Sequence, residues 1–285
     1  MNLPSFTLGP VMKAARKFKK FNQADVAQAI GCSQSALSKM EHNLLIPSAP
    51  QWFLFSRFTT IPPESLESGI IDRHTSIKFN SDEVSLGFKI PKRYRTQRAE
   101  KIREIYPFLR YLEKEKGEEL KKNFIQETGL EPEFFLDFDN LINFQLLADA
   151  VQFLARHGLT DESHIRSLAF TGQDDNYWNH YGVEWKKLGT PRDVLVAFVK
   201  EQIFFQTDFQ LRVEEGLQGG LTVSYQPEFH LKGFKEQSPE LVRFLNLYRK
   251  FTLENLIQRV LGQTIEARIE TEPALGLGGK FLLAS

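Results

Sequence analysis

The chain has 285 residues with 36 basic and 36 acidic side chains, so its formal net charge is zero. Its 41% hydrophobic and 25% charged residues are an ordinary globular balance, which excludes a disordered chain. A single cysteine, Cys32, excludes a disulfide framework and a cysteine-based zinc site; no apolar run reaches the roughly 18 residues of a membrane span.

No apolar stretch follows the first basic residues as it would in a signal peptide, so the chain reads as cytoplasmic, with no membrane partner. The charge is uneven. Residues 1 to 60 carry Lys13, Arg16, Lys17, Lys19, Lys20, Lys39 and Arg57 against only Asp25 and Glu41, and the remainder is net acidic. A basic module on a mildly acidic body points to a polyanion for the first module alone.

In chain order, Pro10 suits the first turn of a helix with Val11, Ala14, Ala15 and Phe18 on one face. Asn22 caps a second helix, with Asp25 three residues on and Val26, Ala27 and Ile30 inward. Gly31 closes it in a positive-φ turn. Ser33 caps a third helix that buries Leu37 and Met40 and ends at Asn43, a residue that tolerates the left-handed conformation. A fourth helix starts near Ser48, with Pro50 in its first turn and Trp52, Phe53 and Phe55 inward. Pro62 and Pro63 open a short fifth helix through Leu66. Residues 76–79 and 83–90 alternate as strands, and the basic stretch Lys92 to Arg103 leads into a helix over 98–115. Further helices are expected at 117–128, 143–157, after the Thr190 cap, and at 239–261. Strands are expected at 205–215, 221–227 and 264–271, with Gly219–Gly220 as a turn; 172–182 reads as a loop mixing aromatics with acids and amides.

Residues 22 to 43, NQADVAQAIGCSQSALSKMEHN, resemble the helix-turn-helix of the lambdoid phage repressor and Cro family, also called XRE-like. The resemblance spans about residues 8 to 67, the usual five-helix unit. It implies double-stranded DNA as partner, with Gln34, Ser35, Ser38 and Lys39 facing bases. Gln34 has the two amide atoms that pair with adenine, and Lys39 can donate to guanine or phosphate. Asn22 and Gln23 are expected to hold phosphate at a helix N-terminus, with Lys20 as a further backbone contact. The resemblance also implies a partly buried salt bridge between Arg16 and Glu41. Asn43 stands where the family usually has glycine.

Residues about 104 to 270 resemble the sensor domain of one branch of AraC-type regulators, through the stretches GLEPEFFLDFDNLINFQLLADAVQFLARHG and YGVEWKKLGTPRDVLVAFVKEQIFFQTDFQLRVEEGLQGGLTVSYQP. AraC-type proteins carry their DNA-binding unit at the other end, so no DNA-reading role transfers from this part. The resemblance implies a small-molecule sensor, and Phe134, Phe135, Phe144, Tyr177, Trp178, Trp185, Phe204 and Phe205 are candidates to line a pocket. The fold expected is multi-domain: an all-α five-helix helix-turn-helix domain over 1–67, a linker with short strands over 68–98, and an α+β sensor-like domain with a small mixed or antiparallel sheet over 99–285.

The six histidines show no metal-ligand spacing and read as satisfied or exposed residues, not as ligands of a metal or haem. Gly276, Gly278 and Gly279 are followed by no helix that would make a phosphate loop, and Asp174 and Asp175 near His180 read as solvated acids. A non-enzymatic, cofactor-free DNA-binding regulator is therefore expected, homodimeric and open to a small apolar or mixed effector. The alternative is a DNA-binding scaffold whose C-terminal body binds a protein. The stretch Lys92 to Arg103 is kept as a possible second DNA contact.

Overall fold

Capping side chains mark where seven of the described helices of this chain begin. The computed structural model describes residues 8–73, 87–96, 98, 100–202, 205, 208–215, 220–228, 231, 234, 238–270 and 277–283. Among them the α-helices are α1 (Leu8–Phe18), α2 (Gln23–Ala29), α3 (Gln34–Glu41), α4 (Ala49–Thr59), α5 (Ser65–Ser68), α6 (Tyr106–Tyr111), α7 (Glu118–Thr128), α8 (Gln145–Arg156), α9 (Glu162–Ser167), α10 (Asp175–Trp185), α11 (Pro191–Glu201) and α12 (Pro239–Leu261). The strands are β1 (Glu100–Lys101), β2 (Leu141–Ile142), β3 (Phe209–Glu215), β4 (Leu221–Pro227), β5 (Ala267–Glu270) and β6 (Gly279–Leu283). No helix among the described residues is long and apolar enough to cross a membrane.

Packing divides the chain into two compact units, Met1–Arg103 with Ile125–Ile142, and Glu104–Phe124 with Asn143–Ser285. This line differs from the 1–67, 68–98 and 99–285 boundaries drawn from motifs. The reason is that residues of the expected linker are core: Ile71, Phe88, Ile90 and Tyr94 are buried.

In the first unit, Val11, Ala14, Ala15, Val26, Leu37 and Phe55 are fully enclosed, and each large apolar side chain among them contributes roughly 1.5–3 kcal/mol by leaving water. Beside these helices, residues 71–73 run along 136–139. Ile71 pairs in parallel with Asp137, and the Arg73 N–H donates to Asp139 Oδ2 at 2.8 Å. The antiparallel pair β1–β2 matches Glu100 with Ile142 and Lys101 with Leu141. Buried ion pairs hold these extended pieces: Arg73 with Asp137 at 2.5 Å, Lys101 with Asp139 at 3.1 Å, and Arg103 with Asp72.

In the second unit a four-stranded sheet runs in the order β3–β4–β6–β5, with every neighbouring pair antiparallel. The long helix α12 packs on β5 and on α8 to α11. Its Arg249 lies over the Phe209 ring of β3 and the Tyr225 ring of β4, at 4.1 and 4.8 Å, and donates to the Leu277 carbonyl at 2.7 Å.

Several expectations are corrected. Phe53 is exposed, not inward. The fifth helix begins at Ser65, after the two prolines have turned the chain. The helix expected over 98–115 starts at Tyr106, because 100–101 is drawn into a strand. Residues 87–90 are not a strand, while the strand expected at 76–79 and the first part of that at 83–90 lie outside the described residues. The stretch 172–182 is mostly helix α10, not a loop. Regular structure continues past 271 to β6, which sits inside the sheet.

Candidate nucleic-acid interface

The two capped helices α2 and α3 define the interface. The Asn22 side chain accepts from the Asp25 N–H at 2.9 Å while Asp25 accepts from the Asn22 N–H at 3.1 Å, a reciprocal capping box. Gly31 then takes φ +70°, and a Cβ there would meet no atom but would strain the backbone. Ser33 accepts from the Ala36 N–H at 3.1 Å and starts α3. Asn43 occupies the left-handed region at φ 57°, and its Oδ1 accepts from the Gly9 N–H at 2.7 Å. Gly9 is needed at that crossing: a Cβ would lie 2.6 Å from the Met40 carbonyl oxygen.

The ion pair between α1 and the end of α3 is present. Arg16 Nε donates to Glu41 Oε1 at 2.6 Å and Nη2 to Oε2 at 2.9 Å, a two-pronged contact. Gln23 Nε2 also donates to Glu41 Oε2 at 2.9 Å. The Gln23 amide is thus engaged inside the unit. Asn22, Gln34, Ser35, Lys39 and Lys20 are exposed, and Ser38 is half-buried. Gln34 and Ser35 occupy the first turn of α3, beyond its cap.

The basic surface is smaller than the sequence count implies. Lys13 Nζ donates to Glu133 Oε1 at 2.6 Å, and Lys17 is paired with Glu131. Burial works most strongly against the Glu133 carboxylate, but the Lys13 hydrogen bond, a backbone hydrogen bond and the charges of Lys13 and Lys17 together hold the carboxyl below its usual range. Lys19 is shifted down by burial and by the nearby Arg73. The stretch Lys92 to Arg103 does not offer a second continuous contact. Arg98, Lys101 and Arg103 are 6%, 1% and 1% exposed. Their charges are held inside the unit, where leaving a buried pair partner alone is costly. Glu131 and Glu133 were not singled out in the sequence; their alternate spacing beside the Phe134–Phe135 pair was the available signal.

The pocket candidates fall into separate clusters. Phe134 and Phe135 belong to the first unit, where Phe134 meets Phe88 edge-on at 5.3 Å. Phe144 packs on Phe209 and Phe234 in the second unit. Tyr177, Trp178, Trp185 and Phe205 do come together, joined by Tyr181 and Phe198, with ring centroids 4.8 to 6.1 Å apart. Phe204 lies outside the described residues. Tyr177, Tyr181 and Trp185 recur every four residues, a helical signal that the acids and Gly182 masked. Trp185 Nε1 donates to Glu201 Oε2 at 3.1 Å, whereas the buried Trp178 Nε1 has no hydrogen-bond partner among the described residues. Asp174 and Asp175 are committed elsewhere: Asp174 caps α10 and takes Arg110 Nε at 3.1 Å, and Asp175 pairs with Arg259 at 2.8 Å. Among the described residues no group of three or more His, Cys, Asp or Glu side chains is placed to hold a metal ion.

The helix-turn-helix family model matches residues 12–66, so the N-terminal part of the chain carries an XRE-type DNA-binding domain. A comparison with curated proteins found no match. Among solved structures, the Fe(II) unliganded H-NOX protein from K. algicida is similar at 16% identity and a TM-score of 0.47, covering 64% of this chain and 95% of that one. An alanine-to-glycine mutant of that protein is similar at 15% identity over the same shares, also with a TM-score of 0.47.

Proposed function

We propose that this protein is a cytoplasmic transcription regulator that reads a short operator as a homodimer and senses a small apolar or mixed ligand through its C-terminal unit. The observation that carries the DNA part is α3, which presents Gln34 and Ser35 in its first turn and Lys39 further along, all exposed. A helix with small polar residues at that end enters the major groove and meets base edges. The capped start of α2 supplies backbone N–H groups to phosphate.

Pairing is supported by an apolar surface on the same module. Leu44, Leu45 and Ile46, and Phe53, Leu54 and Phe58 on one side of α4, are exposed, with Leu44 at 77% and Phe53 at 59%. One such module makes few base contacts, and two on half-sites about one helical turn apart make enough for tight binding. Ligand sensing is supported by the aromatic cluster around Trp178, whose buried N–H has no hydrogen-bond partner among the described residues.

The test is selection of bound sequences from a random duplex pool, followed by native mass spectrometry of the purified chain. A recovered symmetric site, a dimer mass and a small molecule released on unfolding are the expected results. Recovery of no preferred sequence overturns operator reading. A persistent monomer overturns pairing, and an apo mass with no stabilisation by any member of a small-molecule library overturns sensing.

A further inference from the structure

Two of the lysines that make the first sixty residues basic are held by carboxylates from much later in the chain. Lys13 and Lys17 stand one turn apart on α1. Glu133 and Glu131 stand two residues apart, and each takes one lysine. All four side chains are partly exposed, between 15% and 32%. Lys17 Nζ also lies 5.3 Å from the Phe88 ring centre. Lys13 shares a helix face with Arg16, three residues on. Arg16 reaches the start of α2 through Glu41 and Gln23. Lys13 therefore stands about one helical turn from Arg16, and Lys17 directly follows it, beside the contacts that lead to the start of α2.

We propose that Glu131 and Glu133 form an acidic clamp that occupies a second phosphate-binding strip, Lys13 and Lys17, and competes with the DNA backbone for it. This rests on the DNA-binding reading above. A carboxylate and a phosphate oxygen make the same charge-assisted contact with an ammonium group, so the two exclude each other. With the clamp closed, the chain binds DNA without these lysines. With it open, up to two more phosphates are neutralised and binding becomes tighter and more sensitive to salt.

The experiment measures affinity of the full chain for a duplex of random sequence by fluorescence anisotropy, between about 50 and about 200 mM salt. Glu131→Gln/Glu133→Gln is expected to bind more tightly, with a steeper slope by about 0.9 for each lysine released. That is about 3.5-fold more affinity lost per contact across the fourfold salt range. Adding Lys13→Ala/Lys17→Ala to this variant is expected to abolish the gain, whereas the same lysine pair removed from the wild type leaves its slope unchanged. A gain that survives in the quadruple variant reports bulk charge only and overturns the clamp. An unchanged slope with a lowered melting temperature makes the pairs a structural tie and also overturns it, while DNA reading stands. If the double variant does not fold, Glu131→Gln alone is expected to show about half the gain, and no gain overturns the clamp. Absence of binding by the wild type at every salt concentration overturns the clamp together with the DNA reading itself.

Discussion

Gln34 and Lys20 separate what specifies from what merely attracts. Gln34→Ala is expected to cost about 1–3 kcal/mol on the preferred site and to relax one base position, measured by competition between operator and mutated duplexes. Lys20→Ala is expected to weaken all sequences alike and to lower the salt slope by about 1. Arg16 does a different job. Its partner Glu41 is buried, and Gln23 is the other donor on that carboxylate. Arg16→Ala is therefore expected to destabilise the first unit by about 3 kcal/mol in denaturant melts, because a buried charge loses its counter-charge. Asp137 supplies a pH dependence. Burial pushes its carboxyl up to about 6, Asp139 adds to this, and Arg73 opposes it. Raised in the folded state, this group binds its proton more tightly there than in the unfolded chain. Its contribution is present below pH about 4 and is lost as pH rises towards 6. The difference in denaturant midpoint between wild type and Asp137→Asn is expected to shift in that sense between pH 4 and 7; a flat difference would show that the buried carboxyl keeps its ordinary value. The Arg16–Glu41 pair was legible from the sequence because both residues sit inside a motif with fixed spacing. The partners of Lys13 and Lys17 were not, since ion pairs across more than a hundred residues leave no local pattern.

Caps mark the start of many of the helices. Asn22, Ser33, Ser48, Thr190 and Ser238 each accept a backbone N–H at the start of a helix, and the expected starts at these five positions agree with the structure. Asp174 does the same for α10, but its setting of glycine, amide and acid read as a loop. Asp174→Ala is expected to cost about 1–2 kcal/mol, since the cap is lost along with the contacts to Arg110 and Tyr106, while Asp174→Asn keeps the cap and costs less. Thermal melting followed by circular dichroism would measure both, and equal losses would remove the cap from the account. Strand β6 was missed for another reason. It has five residues, and alternation over so short a run becomes decisive only when partners on both sides accept it, as β4 and β5 do here.

At the scale of the whole molecule, residues 125–142 depart from sequence order. They pack in the first unit although the chain on either side of them, 104–124 and 143–285, belongs to the second. Glu131 and Glu133 lie in this segment. The carboxylates that hold Lys13 and Lys17 are therefore joined covalently, on both sides, to chain of the second unit. Ligand in the second unit is expected to change the salt slope of DNA binding in the wild type and to leave it unchanged in Glu131→Gln/Glu133→Gln. An identical ligand response in both proteins would separate sensing from the clamp.

The sequence by itself determined the helix-turn-helix over residues 12–66, because its caps, its Gly31 turn and its small and apolar positions are all set by neighbours within a few turns. It also announced α8, α11 and α12, the hairpin strands β3 and β4, and an aromatic interior. Only the tertiary structure decided which lysines are held by carboxylates, which basic residues are buried, and where the units divide. Those outcomes depend on burial and on pairs distant in the chain, and a charge acquires its role there from what the fold sets beside it.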